Sequence, residues 1–292
     1  MARAKEERAK EEIVAFQGER GAFSEIAARC LLGGDIAFAP CERFEQVFRA
    51  LAEGRATASV VPIENTLHGS IHENYDHLLN FPLKIVAETN VRIVHNLIAP
   101  PGTKLRDIRR VYSHPVALNQ CLNFFAAHPE LERTTFYDTA GSVKMVMADR
   151  PAGAAAIASA VAAETYGGAI LKKSIEDDRQ NFTRFFLLRR EDFAQAKVRR
   201  QPKITLIFTT PNRPGALFRA LAAFSLRDIS ITKIESRPMR GRPWEYLFYV
   251  DVLGHVENEN VQRALAHVHE LSEISRVFGC YESFHESRRR TK

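Results

Sequence analysis

The chain has 292 residues, 45% of them apolar and 26% charged, which is long enough for two domains that each bury their own core. Its apolar runs are all shorter than the roughly 20 residues that a membrane-spanning helix needs. The net charge of +6 suits an anionic partner but does not choose between a nucleic acid and a small dianion. Four cysteines without a C-x-x-C pair predict reduced thiols and a cytoplasmic location.

Both ends of the chain are strongly charged. Residues 1–12 place acids and bases at helical spacing and lack an apolar segment, which predicts a solvated helical extension and not a secretory signal. The three arginines at 288–290 are interpreted as a solvated basic tail.

Strand and helix patterns alternate through the first 190 residues. In chain order we expect strand 13–16, helix 23–32, strand 36–39, helix 44–52, strand 57–63, helix 68–79 and one or two strands within 83–99. There follow strand 111–113, helix 115–127, strand 134–137, helix 141–148, strand 154–159, a helix to about 166, and strands 170–175 and 184–189. This alternation predicts a parallel α/β sheet. The strands form two groups, so we expect two lobes, residues 13–92 with 172–190, and residues 93–171.

The rhythm changes after a charged linker at 191–200. The pattern then predicts strand 204–209, a helix from Pro214, paired strands 229–235 and 244–252, helix 258–271 and strand 277–281. This βαββαβ order is that of a ferredoxin-like domain, which we place at residues 201–285.

A glycine loop, Gly18-Glu-Arg-Gly21, joins the first strand to the first helix. Such loops can offer backbone N–H groups to a carboxylate or phosphate at a helix N-terminus. A simple helix cap by Ser24 explains the same residues equally well. The loop is not G-x-G-x-x-G, which disfavours a nicotinamide-dependent dehydrogenase.

Polar residues follow three predicted strands where helices begin. They are Glu64 and Asn65, then Ser113 and His114, and then Thr139. Ligands of open α/β sheets bind beyond the carboxyl ends of the strands. Each segment alone is explained by a capping turn, but three together predict a polar cleft.

The segment from Ile175 to Phe185 combines two acids, an amide, a hydroxyl and an arginine before an apolar strand. Thr183 and Arg184 are its candidate functional residues; the alternative is a polar loop that leads into a strand. His68 and His72 share a helical face, but without a second ligand cluster we expect no metal site.

Together these segments resemble the prephenate dehydratase family. The resemblance rests on Gly21 to Ser24, Val61 to Asn65 with Gly69-Ser70, Ser113 to Pro115 with Gln120-Cys121, and Asn181 to Phe185. Order and spacing agree across residues 13–190. The C-terminal part resembles the ACT regulatory domain of the same enzymes at Pro214 to Leu217 and at Glu235 to Pro238. Thr66 stands where the family commonly has serine, and residues 138–142 resemble a subgroup with plant-like arogenate dehydratases.

The resemblance implies a two-lobed, periplasmic-binding-protein-like catalytic domain followed by a ferredoxin-like ACT domain. It implies a carbon–oxygen lyase that converts prephenate to phenylpyruvate without a cofactor, a metal, nucleic acid or a membrane. Thr183 is the expected donor to the leaving hydroxyl, with Glu64 and Asn65 as further catalytic residues. The expected substrate-binding residues are Arg184 as the cation, Phe185 as an apolar wall, and Ser24, Ser113, His114 and Thr139 as polar donors.

The ACT resemblance implies phenylalanine as an allosteric effector, bound where two such domains meet in a homodimer or homotetramer. The residues expected to bind it are Gly215, Ala216, Leu217, Glu235 and Ser236.

Two other functions stay open at this point. One is arogenate dehydratase, because arogenate differs from prephenate only by an amino group in place of a keto group. The other is a non-catalytic amino-acid sensor, because the two-lobed fold resembles that of solute-binding proteins. A bifunctional mutase–dehydratase is not expected, since only about twelve residues precede the first predicted strand.

Overall fold

The computed structural model describes residues 12–34, 36–195, 197–239, 241–242 and 244–284. Within these ranges the chain forms two compact units, one from residues 1–77 and 90–185 and the other from residues 78–89 and 186–292. The predicted N-terminal helical extension, apart from its last residue, and the basic tail at 288–290 lie outside the described residues. Within the described ranges no helix is both long and apolar enough to cross a bilayer.

The elements of the first half follow the predicted order closely. They are β1 Ile13–Gln17, α1 Phe23–Leu32, β2 Ala37–Cys41, α2 Phe44–Ala52, β3 Ala58–Asn65, β4 Gly69–Ser70, α3 His72–Asn80 and β5 Leu83–Arg92. The predicted helix at 68–79 begins only at His72, because residues 66–71 form a turn whose end, β4, pairs with β3.

The next elements complete a second sheet and return to the first. They are β6 Asn96–Ala99, β7 Arg110–Ser113, α4 Pro115–Asn119, α5 Leu122–Ala126, β8 Glu132–Thr135, α6 Thr139–Asp149, β9 Ala154–Ala158, α7 Ala160–Tyr166, β10 Ala169–Lys172 and β11 Phe182–Arg190. The predicted helix 115–127 is thus two helices. The second is capped by the Asp177 carboxylate, which accepts hydrogen bonds from the backbone N–H groups of Leu122 and Asn123 at 2.7 and 2.9 Å.

The strands form two sheets, in the orders β2-β1-β3-β11-β5 and β10-β6-β9-β7-β8. Strand β1 runs parallel to β2 and β3, and β7 runs parallel to β8 and β9. Strand β6, however, is antiparallel to β9 and β10, so the prediction of a parallel sheet is wrong for this part. Strand β6 follows β5 in the chain, but β5 belongs to the other sheet, so no local connection sets the direction of β6 relative to its neighbours. The predicted α/β class, with its strands in two groups, is confirmed.

The second unit contains the predicted βαββαβ fold. Its elements are β12 Pro202–Thr210, α8 Ala216–Ser225, β13 Ile231–Pro238, β14 Tyr246–Leu253, α9 Glu259–Leu271 and β15 Ser275–Glu282, with sheet order β13-β14-β12-β15. All three pairings are antiparallel. The helices cover one face of the sheet, where Phe208, Phe224 and Phe248 join a core of aliphatic side chains.

A buried carboxylate holds the glycine loop against α1. Glu25 is fully buried and accepts hydrogen bonds from Gly21 N–H at 2.8 Å, Arg20 Nε at 2.8 Å and Arg29 Nη2 at 2.7 Å. Burial alone would raise the pKa of this carboxyl, but the hydrogen bonds from Arg20, Gly21 and Arg29 hold it below its usual value. Both guanidinium groups also lie over the ring of Phe38. The loop conformation therefore depends on the Glu25 charge.

We predict that Glu25→Gln lowers the free energy of unfolding at pH 7 by about 2–4 kcal/mol, because two partly exposed arginines lose their shared buried anion. A matched control is Glu45→Gln, since Glu45 also pairs with an arginine four residues on, Arg49, but in an exposed position. The control should change stability by less than about 0.5 kcal/mol.

Because the folded-state pKa of Glu25 is lowered, its contribution is present above the unfolded-state value of about 4.3 and is lost as the pH falls through the lower folded value. Urea unfolding of both variants at pH 7 and near pH 3 measures this. Equal losses for Glu25→Gln and Glu45→Gln would contradict the prediction.

Candidate active site

One cavity in the first unit collects side chains from both of its sheets. Its volume is about 410 Å³. It is lined by Gln17, Ala22, Phe23, Ser24, Phe44, Pro62, Asn65, His68, Ile71, Ile93, His95, His114, Val116, Ala117, Gln120, Tyr137, Asp138, Thr139, Thr183 and Phe185. One part of this lining is apolar, with three phenylalanine rings, and the other part is a set of amides, hydroxyls and imidazoles. Such a cavity suits a small ring compound that carries polar groups.

The side chain of Asn65, at the end of β3, has a fixed orientation. Its Oδ1 accepts hydrogen bonds from the backbone N–H groups of Leu67 and His68, both at 3.0 Å. Backbone N–H groups only donate, so the atom that they contact must be the oxygen. The amide nitrogen therefore points the other way, toward residues 181–183.

Thr183 receives one of the Asn65 amide hydrogens. Asn65 Nδ2 lies 3.0 Å from Thr183 Oγ1, 2.8 Å from Asn181 Oδ1 and 3.1 Å from the Phe182 carbonyl oxygen. Because Asn65 donates to Thr183 Oγ1, the hydroxyl hydrogen of Thr183 remains for another acceptor. Thr183 is 7% exposed and lines the cavity, so a bound ligand can be that acceptor.

The residue after Asn65 joins the same two segments. Thr66 donates its hydroxyl to the Gln180 carbonyl at 2.7 Å and accepts from Phe182 N–H at 3.0 Å. Its backbone N–H donates to the Phe182 carbonyl at 2.9 Å. A serine hydroxyl would serve equally, so the departure from the family residue keeps this connection.

The groups that could attract an anion to the cavity are helix ends and polar side chains. Among the lining residues in the described ranges there is no lysine or arginine. Instead α1 and α6 begin at the cavity, with Phe23 and Thr139 in their first turns. Helix N-termini carry partial positive charge and stabilise bound anions. The cavity can therefore attract carboxylates through helix ends and imidazoles.

Two capping residues in the lining have shifted pKa values. Asp138 caps α6 through Gly141 N–H at 2.8 Å, and burial raises the pKa of its carboxyl despite that hydrogen bond. His114 accepts from Val116 N–H at 3.3 Å, and burial lowers the pKa of its imidazole. Each shift favours the uncharged form of its group.

A chain of hydrogen bonds links three further lining residues. His95 Nε2 lies 2.8 Å from Gln120 Oε1, and Gln120 Nε2 lies 3.2 Å from His68 Nδ1. His95 is 1% exposed, and burial lowers the pKa of its imidazole. These hydrogen bonds connect His95, which directly precedes β6 of the second sheet, to His68 in the turn after β3.

Six of the predicted site residues line the cavity together, namely Ser24, Asn65, His114, Thr139, Thr183 and Phe185. Three others do not. Ser113 is fully buried and donates its hydroxyl to the Ile157 carbonyl at 2.7 Å, which occupies it in the fold. Arg184 lies between Thr183 and Phe185 on β11, where successive side chains point to opposite faces, and its guanidinium lies 4.0 Å from Glu64. Glu64 likewise stands outside the lining.

Sequence reasoning missed His68, His95, Gln120 and Asp138 as lining residues. Gln120 and Asp138 belong to the family motifs and lie near polar strand ends in the sequence, and this position indicates them as lining residues. His95 lies in an apolar stretch and gives no such indication. The expected use of the glycine-loop N–H groups is not seen, because Gly18 N–H donates to the Cys41 carbonyl and Gly21 N–H to Glu25. Ser24 is not the cap of α1; Ala22 is.

The residues expected to bind an effector all lie in the second unit. Gly215 has a φ of 76° just before α8, and the space where its Cβ would stand is open. Leu217 packs against the core of its own unit. Glu235 and Ser236 lie on β13, an edge strand of the sheet.

No cluster of three or more His, Cys, Asp or Glu side chains suited to a metal ion is found in the part of the chain that the structure describes.

Comparison with known families matches residues 14–193 to the prephenate dehydratase family and residues 204–270 to the ACT domain. Among curated relatives, the chain is 43% identical over 277 residues to "Arogenate dehydratase/prephenate dehydratase 2, chloroplastic" of Arabidopsis thaliana, which covers 92% of this chain and 72% of the relative. It is 41% identical over 284 residues to "Arogenate dehydratase 2" of Petunia hybrida, covering 92% and 71%.

Two solved structures of more than 30% identity share the fold over nearly the whole chain. A prephenate dehydratase from Arthrobacter aurescens, in complex with L-Phe, is 31% identical with a TM-score of 0.84, covering 93% of this chain and 90% of that one. Another structure, described as a novel type of quorum quenching acylase, is 34% identical with a TM-score of 0.86, covering 94% and 98%.

We predict that Gly21→Ala destabilises the protein by about 2–5 kcal/mol. Gly21 has a φ of 83°, and an added Cβ would lie 2.5 Å from Ala162 Cα on α7. Gly167 is the control, because it is a left-handed helical residue with a φ of 70° and the space around it is open. Gly167→Ala should cost only about 1–2 kcal/mol. Thermal and urea unfolding measure both, and equal effects would show that the close approach to α7 is unimportant.

Proposed function

The chain belongs to the prephenate dehydratase family, and we propose that its cavity converts prephenate to phenylpyruvate, as a carbon–oxygen lyase. The observation that carries this proposal is the environment of Thr183. Its oxygen accepts from Asn65 at 3.0 Å, so its hydrogen is available to a leaving hydroxyl group in the cavity.

The reaction needs two anions to be held while a neutral ring is formed. The bond between the ring and its carboxylate breaks and releases CO₂. The electron pair of that bond completes the aromatic ring, and the ring hydroxyl leaves at the opposite position, with a proton, as water. Because aromatisation supplies the driving force, a hydrogen bond to the departing oxygen is the main assistance that the protein must give.

The cavity supports these steps with separate groups. We assign Thr183 as the donor to the leaving oxygen and Asn65 as the residue that orients it. Ser24, Thr139 and the N-termini of α1 and α6 are assigned to the carboxylates, and His114 to the proton path. Phe185, which lines the cavity beside Thr183 on β11, is assigned to the ring. A threonine hydroxyl is a weak acid, so we assign Thr183 to hydrogen bonding more than to complete proton transfer.

Arogenate is the second candidate substrate, since relatives named for it are 41% identical over most of the chain. Its ammonium group would favour an anion, and Asp138 is the one carboxyl in the lining within the described ranges. Parallel assays of prephenate and arogenate decide between them. If neither phenylpyruvate nor phenylalanine is formed in these assays, the result favours the hypothesis of a non-catalytic amino-acid sensor. A third assay, with an acyl-amide substrate, tests for the activity that is named in the description of the acylase structure.

Regulation by phenylalanine is proposed for the C-terminal part, which matches the ACT domain at residues 204–270. A relative of 31% identity was solved in complex with L-Phe, which supports the same effector here. We propose that two ACT domains, at 201–285, pair in a homodimer or homotetramer and bind it near Gly215, Ala216, Leu217, Glu235 and Ser236. We also propose that the catalytic domain comprises residues 13–190. The proposed location is cytoplasmic, whereas the Arabidopsis relative is described as chloroplastic.

We predict that Thr183→Val lowers kcat for prephenate by roughly 10²–10⁴-fold, because it keeps the side-chain shape and removes the hydroxyl. Thr183→Ser, which keeps the hydroxyl, should remain within about tenfold of the wild type. Steady-state kinetics with a melting curve for each variant measure this. A Thr183→Val enzyme within about threefold of the wild type would exclude Thr183 as the donor.

We predict that Gly215→Val weakens phenylalanine binding by at least about tenfold and relieves inhibition, because a side chain would crowd the proposed effector site. Gly241→Val is the matched control, since Gly241 has a φ of 79° against 76° and equally open surroundings but lies outside that site. Isothermal titration and inhibition assays on full-length proteins compare them. Wild-type binding by Gly215→Val would mean that the effector binds elsewhere.

A further inference from the structure

We propose that His68 binds a carboxylate group of the substrate through its Nε2–H, and that Gln120 and His95 are positioning residues that fix the proton on that nitrogen. The inference rests on the proposed function for the identity of the substrate. It is carried by the hydrogen-bond chain from His95 through Gln120 to His68, by the exposure of His68 in the cavity and by the lack of lysine and arginine among the described lining residues.

His95, at one end of the hydrogen-bond chain, is nearly fully buried. Burial lowers the pKa of its imidazole, so the ring is neutral and carries one N–H. Its Nδ1 is buried without a hydrogen-bond partner, whereas its Nε2 lies 2.8 Å from Gln120 Oε1. A buried N–H without an acceptor is the more costly arrangement, so the proton is on Nε2 and is donated to Gln120.

The orientation of the Gln120 amide group determines which nitrogen of His68 accepts a hydrogen bond. With Oε1 engaged by His95, its amide nitrogen faces His68 Nδ1 at 3.2 Å. An amide nitrogen only donates, so Nδ1 of His68 is the acceptor. The Gln120 backbone is also fixed, because its carbonyl oxygen accepts from Asp177 N–H at 2.7 Å.

Asn65 is the competing partner of His68 Nδ1, at 3.3 Å from Asn65 Oδ1. That oxygen already accepts two backbone N–H groups at 3.0 Å, which occupy its two lone pairs. The contact with Gln120 therefore decides the tautomer. The neutral His68 ring must carry its proton on Nε2, and the charged ring carries one there as well.

A hydrogen-bond donor at His68 Nε2 would help the cavity to bind an anionic substrate. No lysine or arginine is found in the lining, within the ranges that the structure describes, although the proposed substrate carries two carboxylates. His68 is exposed, in contrast to the buried His95, so its Nε2–H can reach a ligand. A hydrogen bond to a charged group is worth about 1.5–3 kcal/mol, which corresponds to roughly 10–150-fold in affinity.

The test compares His68→Leu, His68→Gln and the control His72→Leu in steady-state assays with prephenate. His72 is an exposed histidine four residues on that does not line the cavity. We expect His68→Leu to raise KM at least about tenfold. His68→Gln, whose amide N–H can replace Nε2–H, should stay within about threefold of the wild type, as should His72→Leu.

A second measurement does not depend on activity. Long-range ¹H–¹⁵N spectra of the imidazoles should show wild-type His68 protonated on Nε2, and Gln120→Leu should increase the fraction protonated on Nδ1. If wild-type His68 carries its proton on Nδ1, or if Gln120→Leu leaves the tautomer unchanged, the positioning role is wrong.

The two proposals fail in different ways. A wild-type enzyme that converts prephenate, with an unchanged KM in His68→Leu, overturns only the role of His68. A wild-type enzyme that does not act on prephenate overturns the proposed function, and with it the assignment of this donor to a prephenate carboxylate. A raised KM in His68→Leu that His68→Gln restores supports the inference.

Discussion

The amide group of Asn65 is the constraint on which the cavity depends. Two backbone N–H groups hold its oxygen, and this leaves its nitrogen with a single direction, toward residues 181–183. The partners lie 116 to 118 residues farther along the chain, so the site exists only after β11 has returned to the first sheet. Local structure at the end of β3 thus sets the geometry of a hydroxyl that comes from the far end of the domain.

The electrostatics of the cavity depend on the small number of charged side chains among its described lining residues. Helix N-termini and imidazoles replace the basic residues that commonly bind carboxylates, and Asp138 and His114 are both shifted toward their neutral forms. Partial charges of this kind attract a dianion more strongly than a monoanion without binding either very tightly. Because the proposed reaction removes one of two carboxylates, the product would be held less strongly than the substrate, which favours turnover.

Much of the fold could be predicted from periodicity. Helix α2 has the predicted bounds of 44–52, because its apolar spacing is regular and nothing distant interrupts it. The helix predicted at 115–127 is broken because Asp177, more than fifty residues away, caps its second half. The antiparallel direction of β6 could not be predicted from local sequence patterns either, because it depends on which strands become the neighbours of β6 in the sheet.

The site was predictable to a similar degree. Motifs identified six of the lining residues. Arg184, the predicted cation, lies outside the lining, on a strand whose alternate residues Thr183 and Phe185 belong to it. Ser113 was a reasonable candidate whose hydroxyl turned out to be used by the fold. His95 could not be found from sequence, because its function depends on a partner 25 residues away and on complete burial.

The backbone hydrogen bond of Thr66 has a consequence for the chemical lifetime of the protein. Asparagine deamidates when the nitrogen of the next residue attacks the side-chain carbonyl and closes a five-membered ring. Here that nitrogen belongs to Thr66 and is tied to the Phe182 carbonyl at 2.9 Å, while the carbonyl of Asn65 is held by two other N–H groups. The geometry that orients the amide therefore also protects it from ageing to an aspartate, which could no longer donate to Thr183.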